Sequence, residues 1–208
     1  MAETSDRTER ERDLDRVLTF VDAIVAIAIT LLVLPLVEFA PEVGDGGTVG
    51  DLLRDHADEL WAFALSFYVI ARIWLSQHHA VAPLTTGSER ITLLLIAWTF
   101  TIVVLPFPTS LVASAGGQAP TKVLYVGTMA LSILVIAALR REVQRHPELT
   151  DGSTYVGPLG GLVTAGLLLL ALVVMLAIPA TSYFPILVLL VETPVLRAVE
   201  TVRNRTAA

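Results

Sequence analysis

The sequence predicts an all-α membrane protein with six transmembrane helices per subunit, and three observations carry that prediction. Hydrophobic residues make up 54% of the 208-residue chain and charged residues only 16%, with a mean hydropathy of +0.71. A soluble domain averages about 45–50% apolar and about 25% charged, so both quantities move toward a protein living in lipid, and away from disorder. Six stretches approach the roughly 20 apolar residues that a helix needs to cross a bilayer. They are hydrophobic on all faces, as lipid-embedded helices are, and lack the period-two alternation of a membrane barrel.

The first span runs from about Arg16 to Val37, after a charged segment of about residues 1–15. That segment is mixed in sign and the apolar run after it is too long for a signal peptide. Residues 38–59 form the one long connection, with a Gly-rich turn (Gly44, Asp45, Gly46, Gly47) and then an acidic, helical lead-in to the second span, about Leu60 to Ala80. The third span covers about Ile91–Ala113, the fourth Thr121–Leu139, the fifth Val156–Ile178 and the sixth Tyr183–Val199, leaving residues 200–208 as a short tail. Pro35, Pro106, Pro108, Pro179 and Pro185 fall at or near one set of helix ends, where a kink or stop costs least. Gly157, Gly160, Gly161 and Gly166 crowd the fifth span and read as packing positions. Residues 1–208 thus form a single transmembrane domain, with neither a domain-sized loop nor an internal repeat at half length, so the spans themselves carry the function.

Basic residues orient the bundle. With the N-terminus inside, the cytoplasmic segments hold Arg7, Arg10, Arg12, Arg16, Arg90, Arg140, Arg141, Arg145, Arg197, Arg203 and Arg205, against Arg54 and Lys122 outside. Both termini are therefore expected in the cytoplasm. The 38–59 loop is the opposite case: Glu38, Glu42, Asp45, Asp51, Asp55, Asp58 and Glu59 accompany Arg54 alone. It is either a solvated acidic loop or, repeated around an axis, a negative vestibule that concentrates cations.

Several chemistries are excluded. Without cysteine there is no disulfide framework, thiolate metal site or catalytic thiol. A net charge of −6 lacks the basic footprint of a nucleic-acid binder. Nucleotide loops, serine-nucleophile elbows and zinc-protease motifs are absent, so no enzyme is expected. Thr48-Val49-Gly50 matches the start of a potassium selectivity filter, but Asp51 and Leu52 follow where Tyr-Gly belongs.

Charged groups inside spans are costly and face the protein interior. Asp22 lies roughly 9 Å along the helix axis from Arg16. The second span descends in the opposite sense, so Arg72, Trp74, Gln77, His78 and His79 share a leaflet with Asp22. Paired with Arg72 or a histidine, Asp22 is satisfied where an isolated carboxylate is not. That arrangement serves as a structural clamp, a proton relay or an acid–base pair. Adjacent histidines point about 100° apart on a helix, poor geometry for chelation, and no third ligand is in sight, so no metal site is expected. Glu192, close to Pro194, reads as interfacial.

Ile27, Thr30, Leu31 and Leu34 share one face of the first span at i, i+3, i+4 and i+7. Arg16, then Phe20-Val21-Asp22, then the Ala-Ile-rich run through Thr30 to Pro35, resembles the opening of the transmembrane protein 175 family, whose signature there is Arg-x-x-x-Phe-Ser-Asp. Trp74-Leu75-Ser76-Gln77-His78-His79 resembles that family's second helix, a tryptophan followed closely by histidine. Six spans, cytoplasmic termini and about this length resemble its single-repeat prokaryotic members. Val21 stands where the signature has serine and removes its hydroxyl; Gln77 stands where many relatives have the first histidine, so His78 carries that position.

The resemblance implies a moderately potassium-selective, passive cation channel in a prokaryotic plasma (inner) membrane, assembled as a homotetramer whose first helices line a central pore. It implies a constriction at Ile27, Leu31 and Leu34 with the Thr30 hydroxyl beside it. Arg16, Phe20, Asp22, Trp74 and His78 would then be the polar cluster holding the pore helix. The implied partners are further copies of the chain, membrane lipids and monovalent cations, with permeant K⁺ and no cofactor. The competing reading is a proton-coupled secondary transporter using an intramembrane Asp22–Arg72–His78 cluster; a membrane enzyme and a structural membrane protein remain as further alternatives.

Overall fold

A computed structural model describes residues 2–44, 48–152, 158–178, Tyr183 and Pro185. The elements are helices α1 (Ala2–Leu31), α2 (Leu34–Val37), α3 (Pro41–Gly44), α4 (Val49–Asp55), α5 (Ala57–Val81), α6 (Glu89–Val104), α7 (Pro106–Ala115), α8 (Ala119–Arg145) and α9 (Pro158–Ala177), with a short 3-10 turn at Pro147–Leu149. Four segments are long and apolar enough to cross a bilayer: Glu9–Val43, Ala57–Val81, Glu89–Ala115 and Ala119–Arg145. Gly161–Ala177 is a shorter apolar helix at the place of the fifth span, and the expected sixth span lies almost entirely outside the described residues. The architecture is that of an all-helical, multi-pass membrane protein.

Helix α1 departs from expectation at its start. It begins at Ala2, so the charged segment before Arg16 continues the membrane helix. Thirty residues at 1.5 Å each give about 45 Å, about 15 Å more than a hydrocarbon core needs. Near its other end the helix breaks at Leu32–Val33, and Pro35 enters the first turn of α2, where its missing N–H costs nothing. The third span breaks in the same way: α6 stops at Val104 and Pro106 opens α7.

The core is assembled from one face of each helix. Val21, Val25 and Ala28 of α1, with Leu32 just past its end, meet the buried row Ile91, Leu95, Trp98 and Ile102 of α6, and α8 supplies Val126, Met129, Ile133 and Ile136. Each row steps by three or four residues, the spacing that keeps side chains on one side of a helix. A hydroxyl chain crosses this core: Tyr125 Oη lies 2.8 Å from Ser66 Oγ, and Thr109 Oγ1 lies 3.0 Å from the same Ser66 oxygen. It ties α5, α7 and α8 together through groups that lipid could not satisfy.

The glycines of α9 divide. A Cβ on Gly161 would come within 3.1 Å of the Ala137 Cβ, so this glycine is what lets α9 approach α8 closely. Gly166 has open space around it and is not a packing position, contrary to the reading from sequence. Gly157 lies outside the described residues.

The helix order puts Arg16, Arg90, Arg140, Arg141 and Arg145 at one end of the bundle and the 38–59 loop at the other. Arg140 donates to the Ser76 carbonyl at 3.2 Å and to Ser76 Oγ at 3.0 Å, joining α8 to α5. At the opposite end Lys122 is buried, and its Nζ donates to the Met175 carbonyl at 2.8 Å, capping the last turn of α9.

Candidate functional site

Helix α1, with the break and short α2 that continue it, has two unlike faces. Val21, Val25, Ala28 and Leu32 are almost wholly buried, while Ile27, Leu31 and Leu34 are 59%, 47% and 59% exposed. Phe20 belongs to the same outward side at 59%, and Arg16, one turn earlier, is exposed as well. The stripe Arg16, Phe20, Ile27, Leu31, Leu34 therefore points away from the subunit's own bundle. The Thr30 hydroxyl, beside it, donates to the Ile27 carbonyl at 2.8 Å.

Helix α1 makes a polar contact with α5. Trp74 Nε1 donates to Asp22 Oδ1 at 2.8 Å, a charge-assisted bond between helices. The Trp74 ring lies against His78, with centroids 5.8 Å apart and planes tilted by 37°. Asp22, Trp74 and His78 thus form one group. Arg16 and Phe20 do not join it; they lie along the outward stripe. Arg72 is also elsewhere. Two residues before Trp74, it points about 200° away around the helix, into a small cavity lined by Ile73, Ser76, Ile133, Ile136, Gly161 and Thr164. Topology offers Asp22 either Arg72 or a histidine; the hydrogen bond to its carboxylate comes from Trp74, the neighbour of His78. His78 and His79 sit with ring centroids 6.3 Å apart, nearly edge to face. Among the described residues no three carboxylates or histidines gather into a metal-binding group.

Val21 resolves a question the signature raised. Its side chain has no solvent exposure and packs within the apolar core. The position filled by a hydroxyl in the family signature is here a methyl contact, and the polar group around Asp22 closes through Trp74 without it.

Residues 16–106 match the model of a family described as the endosomal/lysosomal potassium channel TMEM175. Over this segment, a little under half of the chain, the sequence is similar to that family. The match opens on Arg16, midway along α1, and runs past the end of α6, so the outward stripe of α1 and the Asp22–Trp74–His78 group both lie inside it. The description of that family names a potassium channel, a protein of ion transport. None of the curated proteins matches the chain.

A second group was not visible in the sequence. His56, between α4 and α5, stacks on Phe39 with ring centroids 3.6 Å apart and planes 12° from parallel. Its Nε2 lies 3.0 Å from Glu42 Oε2, and Glu59 Oε1 is 3.7 Å from its Nδ1. This clasp ties the chain leaving α2 to the start of α5. The hydrogen bond to Glu42 raises the His56 pKa above the ordinary 6.5, against a smaller opposing effect of burial. Next to it, Thr48 Oγ1 accepts from the Asp51 N–H at 3.2 Å and caps α4, so Thr48-Val49-Gly50 is a helix start, not a filter strand.

Two outcomes are expected. In a double-mutant cycle of Asp22→Asn and Trp74→Phe, unfolding in detergent should reveal a coupling of about 1 kcal/mol. Additivity within about 0.3 kcal/mol would mean that the bond does not hold α1. The clasp has a definite pH sense. A folded-state pKa raised above 6.5 gives a stabilisation that is fully present below pH 6.5 and lost as pH rises through the raised value. NMR titration of the His56 ring should place its midpoint above 6.5 in the wild type and nearer 6.5 in Glu42→Gln; a wild-type midpoint at or below 6.5 would contradict the clasp.

Proposed function

We propose that the chain is one subunit of a passive, moderately potassium-selective cation channel, a homotetramer whose α1 helices line a central pore narrowed at Ile27, Leu31 and Leu34. The observation that carries this reading is the two-faced α1: its inner face is committed to the subunit core, while the large apolar side chains Phe20, Ile27, Leu31 and, in α2, Leu34 lie exposed on the outer face. Apolar side chains pack the core of the described bundle, so the path for an ion is sought outside that core. Four copies around an axis would supply one, lined by the same helix four times.

Rings of apolar side chains at Ile27, Leu31 and Leu34 would gate by dewetting, since a small change in radius decides whether water and a hydrated ion can pass. Potassium sheds water more readily than sodium and is favoured at such a dry neck. Thr30 stands beside the ring with its oxygen free to accept. Arg16, Phe20, Asp22, Trp74 and His78 act on the pore helix: Asp22, Trp74 and His78 by holding its rotation, Arg16 and Phe20 at the entrance to the apolar stretch. The concentration of arginines at the α1 start favours cytoplasmic termini, and on this reading the channel sits in a plasma membrane.

The proton-relay alternative needs Asp22, Arg72 and His78 in one connected group. Asp22 is engaged by Trp74 and Arg72 faces a different cavity, which favours the channel. Purified protein in planar bilayers under opposed K⁺ and Na⁺ should give a passive current reversing on the potassium-favouring side. Ile27→Asn should move that reversal potential toward zero. Silence in bilayers alongside proton-coupled uptake in vesicles would establish a carrier, and an unchanged reversal potential in Ile27→Asn would remove Ile27 from the constriction.

A further inference from the structure

At the arginine-rich end of the bundle, a groove of about 470 Å³ opens between α6 and α8. Its rim carries Arg90, Arg141 and Arg145, and its wall, one turn deeper into the membrane, is Leu93, Leu94 and Ala138. Among the described residues, the one carboxylate in its lining is Glu142, which is buried and shared: Arg90 approaches it at 3.6 Å, Arg145 at 3.9 Å and His146 at 3.5 Å. Three guanidinium charges against one carboxylate leave two positive charges in excess. Both arginine contacts with Glu142 are too long for hydrogen bonds, so the guanidinium N–H forks remain open to an acceptor. Arg141 is exposed and has no partner among the described residues.

The channel reading uses none of these residues. We propose that this groove binds the headgroup phosphate of an anionic phospholipid, with its acyl chains lying along the outer faces of α6 and α8. Guanidinium forks match phosphate oxygens in pairs, and basic pockets between transmembrane helices at the cytoplasmic side suit acidic headgroups. The apolar continuation is present: Leu93, Ile96 and Phe100 are exposed at i, i+3 and i+7 on α6, with Leu134 beside them on α8. The groove volume lies within the about 300–1,000 Å³ usual for small-ligand sites. A second copy of the chain is a poorer occupant. In a cyclic assembly all subunits share one orientation, so the acidic 38–59 loop never meets this end.

The experiment is a thermal-unfolding titration of the purified protein in mixed micelles. Phosphatidylglycerol should raise the midpoint saturably, and phosphatidylcholine should not. Arg141→Gln removes a side chain without folding contacts and should raise the half-saturating phosphatidylglycerol content about fivefold, while Arg12→Gln, an exposed arginine at the same end, should leave it unchanged. Equal effects of the two lipids, an Arg141→Gln titration identical to wild type, or equal weakening by Arg12→Gln would each overturn the site. Inorganic phosphate in phosphatidylcholine micelles should be inert; stabilisation by it that Arg141→Gln abolishes would make this a free-anion site and overturn the lipid assignment.

Discussion

The seam of Val21, Val25, Ala28 and Leu32 against α6 sets the rotation of α1 about its own axis, and the functional reading depends on that angle. A helix that is apolar all round has no preferred rotation in lipid, because every face is equally soluble there. Packing supplies the preference, and the Trp74–Asp22 bond adds a directional stop that a shape fit alone lacks. With the seam turned inward, Ile27, Leu31 and Leu34 have nowhere to point but outward. A rotation of about 100°, one residue's worth, would bury part of that row and expose part of the seam.

The same economy appears at the two ends of the bundle. Interior polar groups are spent on joining helices: Ser66, Thr109 and Tyr125 across the core, Arg140 to Ser76 at one end, and Lys122 to the last turn of α9 at the other. Each satisfies groups that hydrocarbon would leave unpaired. These ties fasten α5, α7, α8 and α9 to one another, whereas α1 is held by its apolar seam and by Asp22. A helix attached along one side only is the natural element to present to neighbouring copies.

The spans from α1 to α8 were legible because length and apolarity are local properties, and the breaks near Pro35 and Pro106 because proline acts locally too. Rotation was not legible. Nothing in the composition of α1 separates Val25 from Ile27; it was the resemblance that pointed to Ile27, Thr30, Leu31 and Leu34. Arg72 or a histidine was expected beside Asp22 from shared depth, but depth says nothing about which way a side chain turns, and Trp74 donates to the carboxylate. The clasp at His56 depends on Phe39 and Glu42 folding back from fourteen or more residues away, which no spacing rule captures. One missed feature did leave a trace. The run from Glu9 to Arg16 alternates acidic and basic residues, a pattern that favours a solvated helix, and α1 does extend through it.

The account stands or falls on whether the outward stripe of α1 faces its own copies. The chain contains no cysteine, so a single introduced thiol reports on contacts between subunits alone. Ile27→Cys and Leu93→Cys would each be oxidised in the intact membrane and run without reductant. Ile27→Cys should yield a disulfide-linked dimer, because rings around a narrow axis bring like residues within the few ångströms a disulfide spans. Leu93→Cys, equally exposed but on the α6 face, should stay monomeric. The reverse pattern, dimer at Leu93 and none at Ile27, would contradict a pore lined by the first helices.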